Sequence, residues 1–489
     1  MIGNEIPSNI LLKDASLYSE KARIGESLIS SKNRIPVLNP ATGKILGHVP
    51  DLGRAETEQA IAAAERALIG WKKTTAHHRA ELLNEWHRLI VENIEDLALI
   101  LTLEQGKPLE EARGEILYSA SFVEWFAGEG IRAYGELVPS PSAFSRILVA
   151  KEPVGVCAAI TPWNFPSAMV TRKVAPALAA GCTVVVKPSE ITPFSAIALA
   201  VLAQRAGVPD GVLNVVTGMP QDIGAALCSS EVVRKLTFTG STAVGQILYR
   251  ACAGTIKRVS LELGGNAPFL IFEDADLDLA VEGVVASKFR NAGQTCVCAN
   301  RIYVQSAVYD DFAVRLTTRV RTLKVGSGIE EGVHIGPLIN EAGWKKARRH
   351  VEDAVEKGAK ITVGGGVDSV GTLFAPTVLI DVNDGMDFFH EETFGPVAPL
   401  MRFETETEAI RRANATPYGL AGYVYTQDLK RGLRVCEALE IGMIGLNNGS
   451  VSTAYAPFGG MKSSGIGREG SRHGLEEYLE IKAIHLGNM

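Results

Sequence analysis

From about residue 154 onward, short β-branched runs alternate with longer runs of helical apolar period, and this constrains the fold most. "VGVCAAITPW" reads as a strand, "SAMVTRKVAPALAAG" as a helix that Gly181 stops, and "TVVVKP" as a strand. "TPFSAIALAVLAQRAG" is a helix, "LNVVTG" a strand, "QDIGAALCS" a short helix and "KLTFTG" a strand. "STAVGQILYRACA" is again a helix, and "KRVSLELGG" a strand running into a glycine turn. A helix between two strands returns the chain to the end where it started, so the strands pair in parallel. The expected class is α/β, with a parallel, doubly wound sheet. A second α/β stretch runs from about residue 268 to 445. Upstream, "RAETEQAIAAAERALIGW" (Arg54 to Trp71) reads as an amphipathic helix, and "HHRAELLNEWHRLIVENIEDLALILTLEQGKPLEEA" continues the helical pattern. The first 30 or so residues read as a surface arm. The C-terminal "EEYLEIKAIHLGNM" is strand-like and needs an edge to pair with.

The 489 residues carry 49 Lys plus Arg against 55 Asp plus Glu, a net charge of −6. That balance favours neither nucleic acid nor a membrane surface as partner. The longest apolar run, "VAPALAAGCTVVV", contains Pro and Gly. It is shorter than the ~20 residues of a membrane helix. The acidic N-terminus resembles neither a secretory signal nor a transit peptide. Seven dispersed cysteines do not form a disulfide framework, so a reducing cytoplasm is the expected compartment.

Two strand ends offer phosphate and ribose chemistry. "FTGSTAVGQ" spaces Gly240 and Gly245 as G-x-x-x-x-G, which is neither the Rossmann nor the P-loop pattern. Ser241 still stands at a helix N-terminus, where free N–H groups suit a phosphate. In "VVVKPSE", Lys187, Ser189 and Glu190 follow a strand, on the side where open α/β sheets bind ligands. The plain alternatives are a capped strand–turn–helix and a solvated lysine.

"NAGQTCVCANR" sets Cys296 and Cys298 one residue apart. Zinc would need further Cys or His at short spacing, and no histidine lies near. A disulfide at this spacing closes a strained, tiny loop. A nucleophilic thiol is the better reading, though spacing leaves open which cysteine attacks. "TPWNFP" fixes Asn164, with its two N–H donors, in a loop between prolines. "LELGGNAP" places Glu262 between Leu261 and Leu263, either as a buried acid suited to general-base work or facing solvent.

Together "TPWNFP", "VVKPSE", "FTGSTAVG", "LELGGNAP", "GQTC", "EETFGPV" and "PFGGMKSSGIGRE" resemble the aldehyde dehydrogenase superfamily in order and separation, from about residue 35 to the end. "FRNAGQTCVCANR" and "REGSRHGLEEYLEIK" resemble its succinate-semialdehyde dehydrogenase branch. The resemblance implies that Cys296 is the nucleophile, Glu262 the general base and Asn164 an oxyanion donor. It implies cofactor contacts at Trp163, Lys187, Ser189, Glu190, Gly240, Ser241, Gly245, Leu263, Glu392 and Phe394. Arg172, Arg290 and Ser452 match positions that bind a distal carboxylate, and Cys298 is a candidate redox partner of Cys296. No metal is expected.

The implied domains are dinucleotide-binding (1–131 and 152–264), catalytic (265–470) and bridging (132–151 and 471–489), in a homodimer or homotetramer. The implied reaction is oxidation of a small-molecule semialdehyde to the acid, with succinate semialdehyde expected and glutarate semialdehyde or a broader aldehyde range as alternatives. A carboxylate at Glu190 would meet a 2′-phosphate, so NAD is expected ahead of NADP. A CoA-dependent acylating enzyme would not need Glu262 to activate water, and a non-enzymatic relative would need neither thiol nor base.

Overall fold

A computed structural model describes residues 11–365 and 371–487. The start of the expected surface arm, with residues 1–10, and the last two residues of the tail lie outside the described residues. Five parallel strands follow the sequence expectation: Val156–Ile160, Thr183–Lys187, Leu213–Val215, Val233–Thr239 and Arg258–Glu262. In space, those beginning at 213 and 183 lie to one side of the Val156 strand, and those beginning at 233 and 258 to the other. The strand order therefore reverses at Val156–Ile160, and ligand crevices of open α/β sheets form at such a reversal. Register aligns the carboxyl ends: Ile160 stands level with Lys187 and Phe238, and Thr239 level with Glu262. The loops carrying Asn164, Glu190, Ser241 and Gly264 consequently leave the sheet along one edge.

The N-terminal segment corrects the surface-arm expectation. Ala22–Ile24 adds antiparallel to Leu213–Val215, and Ser27–Ile29 extends the sheet further. The edge strand there has open backbone groups, and the Asn214 side chain fixes the turn by accepting from Gly25 N–H at 2.8 Å. At the opposite edge Gly465–Ile466 pairs with Arg258–Glu262, so residues near 465 belong to this sheet rather than to the second.

The long helical stretch after Arg54–Trp71 is three helices: Ala76–Glu92, Ile94–Gln105 and Leu109–Ile131. Gly106 takes a left-handed φ of 99° and Pro108 follows it, which ends the second of them. The second sheet has seven strands, from Lys360–Val363 at one edge to Met443–Leu446 at the other. All its pairings are parallel except Lys360–Val363 with Thr377–Ile380. A third, three-stranded sheet supplies the edge that the tail needed. Leu479–Gly487 pairs along its whole length with Ser145–Pro153, which also pairs with Glu136–Val138. Among the described residues no helix is long and apolar enough to cross a membrane.

Candidate active site

A cavity of about 390 Å³ opens at the carboxyl edge of the first sheet. Its wall includes Trp163, Asn164, Gly240, Ser241, Glu262, Leu263, Cys296, Glu392 and Phe394, most of the residues singled out from sequence. The second sheet's side contributes Gln294, Asn340, Lys346 and Thr393, which the sequence reading gave no role.

Local backbone geometry presents the thiol. Asn291, Ala292 and Gly293 take successive positive φ angles of 52°, 54° and 74°. A Cβ at 293 would run into the Gly395 carbonyl, so the turn requires glycine. Gln294 then locks the loop, donating to Asn291 O at 3.1 Å and accepting from Ile339 N–H at 2.9 Å. Cys296 emerges partly buried. Burial pushes its thiol up to about 12; the Glu392 and Glu262 carboxylates add to this, and Arg172 opposes it. Cys298 turns elsewhere. It is buried, does not line the cavity, and its thiol lies 3.6 Å from the Lys288 carbonyl. The two cysteines are free thiols, and only Cys296 lines the cavity.

The Asn164 side chain donates to Gln294 O at 3.0 Å, two residues before Cys296. Glu262 is buried, its Oε2 has no hydrogen-bond partner, and burial followed by the Glu469 charge raises its pKa well above the ordinary range. Glu392 is pushed up to about 8 by burial, against a hydrogen bond from Gly265 N–H. Phe394 has a strained φ of 56° and packs edge-on against Trp163, with ring centroids 5.5 Å apart.

The other expected cofactor positions divide. Ser241 caps the helix Thr242–Cys252 by accepting from Val244 N–H. Gly245 lies outside the cavity wall; a side chain there would overlap Leu263, so this glycine lets helix and strand close together. Lys187 is buried and holds Glu190 at 2.6 Å, beyond the cavity but on the same sheet edge. Ser189 sits between them, accepting from Ile191 N–H at 3.4 Å.

Arg290 and Ser452 meet in a second cavity of about 280 Å³, with Tyr118, Phe165, Lys107, Glu111 and Glu115. Arg290 also lines a small hollow beside Thr295 and Val297, the neighbours of Cys296. Arg172 differs from expectation. Rather than standing free in a pocket, it is buried, ion-paired with Glu469, and lies 4.0 Å from the Phe458 ring centroid. Its Nη1 has no partner, and the guanidinium faces Tyr118, a wall residue of the second cavity. His350, Asp387 and Glu391 bring ligand-type atoms within 4.8 Å of one another, but Arg349 already pairs with both carboxylates.

The residues present fit a dinucleotide. Buried polar atoms without partners lie at the ends of these strands: Asn164 Oδ1 and Thr239 Oγ1 in cavity-wall residues, and Thr161 Oγ1 and Thr242 Oγ1 in residues next to the wall. They stand beside a capped helix N-terminus, which favours phosphate.

The chain resembles known proteins over nearly its whole length. The aldehyde dehydrogenase family model matches residues 28–484. The chain is 56% identical to the 3-sulfolactaldehyde dehydrogenase of Pseudomonas putida, over 98% of this chain and 99% of the relative. It is 55% identical to the glutarate-semialdehyde dehydrogenase of the same species, over 97% and 99%. It is 56% identical to the NADP(+) succinate-semialdehyde dehydrogenase of Escherichia coli, again over 97% and 99%. The crystal structure of an aldehyde dehydrogenase from Brucella melitensis superposes with a TM-score of 0.97 at 56% identity, covering 98% of this chain and 99% of that one. The likeness runs across nearly the whole sequence: the chain belongs to the aldehyde dehydrogenase family, as an NAD(P)-dependent enzyme that oxidises aldehydes.

Proposed function

We propose that the enzyme oxidises succinate semialdehyde to succinate, with Cys296 as nucleophile, Asn164 as oxyanion donor and Glu262 as general base. The carrying observation is that these three side chains line one cavity, while Arg290 and Ser452 line another beside it. The Cys296 thiolate adds to the aldehyde carbon, and an Asn164 N–H stabilises the oxyanion that forms. Trp163, Gly240, Ser241, Leu263, Glu392 and Phe394 would hold NAD(P), which when bound would accept the hydride that leaves the adduct carbon. As the hydride departs, the oxyanion re-forms the carbonyl and the acyl group remains as a thioester on Cys296 Sγ. Glu262 takes a proton from water, the water oxygen adds to the thioester carbon, and the C–S bond breaks to release the acid. A base with a raised pKa is a stronger proton acceptor once ionised, at the expense of a smaller ionised fraction near neutrality.

The three relatives act on aldehydes that carry a carboxylate or sulfonate at the far end, which supports an anion site here. Arg290 offers a planar fork for that anion, and Arg172, paired with Glu469, faces Tyr118 in the wall of the same cavity. Glutarate semialdehyde is the second reading, because one methylene is worth only about 1–3 kcal/mol of discrimination. The test is kcat/KM for succinate semialdehyde, glutarate semialdehyde, 3-sulfolactaldehyde and butanal, with and without CoA. Butanal turned over as well as the anionic aldehydes would overturn the substrate reading, and a requirement for CoA would overturn the hydrolytic one.

NAD is taken ahead of NADP in this reading. Glu190 puts a carboxylate near the ribose end, and two like charges ~4 Å apart cost about 1–4 kcal/mol between water and an effective dielectric of 20. The NADP(+) in the name of the E. coli relative points the other way, and the Lys187–Glu190 pair is where the two readings part. The kcat/KM ratio for the two cofactors, in wild type and Glu190→Ser, decides between them.

The reading includes a homodimer or homotetramer, a cytoplasmic location suited to free thiols, and division into dinucleotide-binding, catalytic and bridging domains. Leu137, Ile481 and Ile484 are exposed on the three-stranded sheet, which supports subunit contact there. Sedimentation of wild type and Ile481→Lys tests it; an unchanged assembly would exclude that face.

A further inference from the structure

The corner between helices Ile94–Gln105 and Leu109–Ile131 carries several charges out of solvent, and each is bonded to a loop of the site. Glu104 accepts from the N–H groups of Phe194 and Ser195, which open the helix after Glu190. Glu115 accepts from the N–H groups of Ser167 and Ala168, which open the helix after Asn164. Glu111 accepts from Asn291 N–H at 2.8 Å. Lys107 is buried, bonds Glu115, lies 3.8 Å from the Phe165 ring centroid and donates to the Asn164 backbone carbonyl at 2.9 Å. A second donor reaches that same carbonyl: Asn291 Nδ2, also at 2.9 Å.

We propose that Lys107, acting with Asn291, is a positioning residue whose two-donor clamp on the Asn164 carbonyl aims the Asn164 side chain at the carbon attacked by Cys296. The proposal rests on the reading of Asn164 as oxyanion donor. Pro162 and Pro166 restrict φ in this loop, but ψ of Asn164 is set by where its carbonyl points, and both donors fix that direction. Asn291 ties the clamp to the nucleophile loop, because its side chain and that of Asn164 both donate to Gln294 O, at 3.3 and 3.0 Å. A buried ion pair is weak grounds for stability, since apolar residues of similar volume often serve as well. Directional hydrogen bonding is what Lys107 adds.

The test is a double-mutant cycle on the pre-steady-state NADH burst, using wild type, Lys107→Met, Asn164→Ala and the double variant. Lys107→Met should slow the burst roughly ten- to hundredfold, the scale of misplacing a catalytic group by up to an ångström. The KM for NAD(P) should stay within about twofold of wild type, because Lys107 does not line the Cys296 cavity. In the Asn164→Ala background the Lys107 change should add less than about twofold. Losses that multiply would overturn the clamp while leaving Asn164 as the oxyanion donor. A burst untouched by Asn164→Ala would overturn both readings. Should Lys107→Met fail to fold, Asn291→Gly carries the same cycle: it removes the uncharged second donor and keeps the left-handed backbone. Its expected signature is the same, and a normal burst would sink the clamp.

Discussion

Gly265 packs against the loop that carries Cys296, and adding one methyl there tests the geometry of the thiol more sharply than removing it. The residue is buried, and its φ is outside the left-handed region, so alanine costs no backbone strain. An ideal Cβ would stand 2.7 Å from the Cys296 carbonyl oxygen and 3.4 Å from Leu420 Cβ. Relaxed carbon–oxygen contacts begin at about 3.3 Å, so the overlap is roughly 0.6 Å. Leu420 blocks retreat on the other side, and both neighbours are backbone or packed core. The Cys296 backbone must therefore yield by about half an ångström. Misplacement by 1 Å costs about a hundredfold, so Gly265→Ala should slow the NADH burst about tenfold. Overpacking should cost about 1–3 kcal/mol of stability.

The neighbour provides the contrast. A Cβ on Gly264 would be in ordinary contact, 3.4 Å from Glu392 Oε2 and Thr242 Oγ1, but it projects into the cavity wall on the side assigned to the cofactor. Gly264→Ala should raise the KM for NAD(P) several-fold and leave the burst rate, at saturating cofactor, within about twofold. Stopped-flow absorbance of NADH, with a thermal melt of each variant, measures both. A Gly265→Ala enzyme with a normal burst and a raised cofactor KM would refute the reasoning, since the methyl would then act on the dinucleotide rather than on the thiol.

Four further outcomes are expected. Cys296→Ala should abolish aldehyde oxidation and leave NAD(P) binding near normal by fluorescence titration; substantial turnover that Cys298→Ala removes instead would reverse the assignment. Glu262→Gln should give a rapid NADH burst and then almost no turnover, because the amide cannot take a proton from water; loss of the burst itself would make Glu262 the activator of the thiol. Arg290→Leu should lower kcat/KM for succinate semialdehyde roughly ten- to hundredfold relative to butanal, the value of a charge-assisted contact of about 1.5–3 kcal/mol, and equal losses for both aldehydes would make the arginine structural. With its thiol pushed up to about 12, the free enzyme has little Cys296 thiolate at neutral pH. Alkylation of Cys296 by iodoacetamide should therefore rise about tenfold per pH unit from 7 to 10, whereas a plateau below pH 9 would mean that the thiol is already activated.

The cavity was legible in sequence because its wall is built from strand ends. "TPWNFP", "FTGS" and "LELGG" each follow a strand, and parallel register brings all three to one edge without any further information. What the sequence hid was pairing over long separations. Arg172 reads as a match to a carboxylate-binding position because nothing local reveals Glu469, far along the chain in a loop, which pairs with both Arg172 and Lys173. Lys107 and Glu111 read only as part of a continuous helical pattern and Glu115 has no reading from sequence, since a charged residue in such a pattern is usually solvated. Their burial follows from two site loops folding over that corner. The N-terminal strands escaped notice for a related reason: Ala22–Ile24 and Ser27–Ile29 are too short to show alternation, and they become strands because Leu213–Val215 presents an open edge.

The same asymmetry bears on how the site works. Residues legible from sequence line the cavity, and most of them, Glu262 at its strand end apart, are supplied by loops that could adopt other conformations. The hidden residues are the ones that remove this freedom. The Asn164 carbonyl accepts from two donors, Lys107 and Asn291, and Gln294 is locked by Asn291 and Ile339. Catalytic groups must sit within about half an ångström of their working positions, and loops alone do not provide that. The chemistry is therefore written at the strand ends, and its precision in the buried charges behind them. A substitution at Lys107, Glu115 or Asn291 should accordingly be felt first in the rate of thioester formation, before it is felt in the binding of either cofactor.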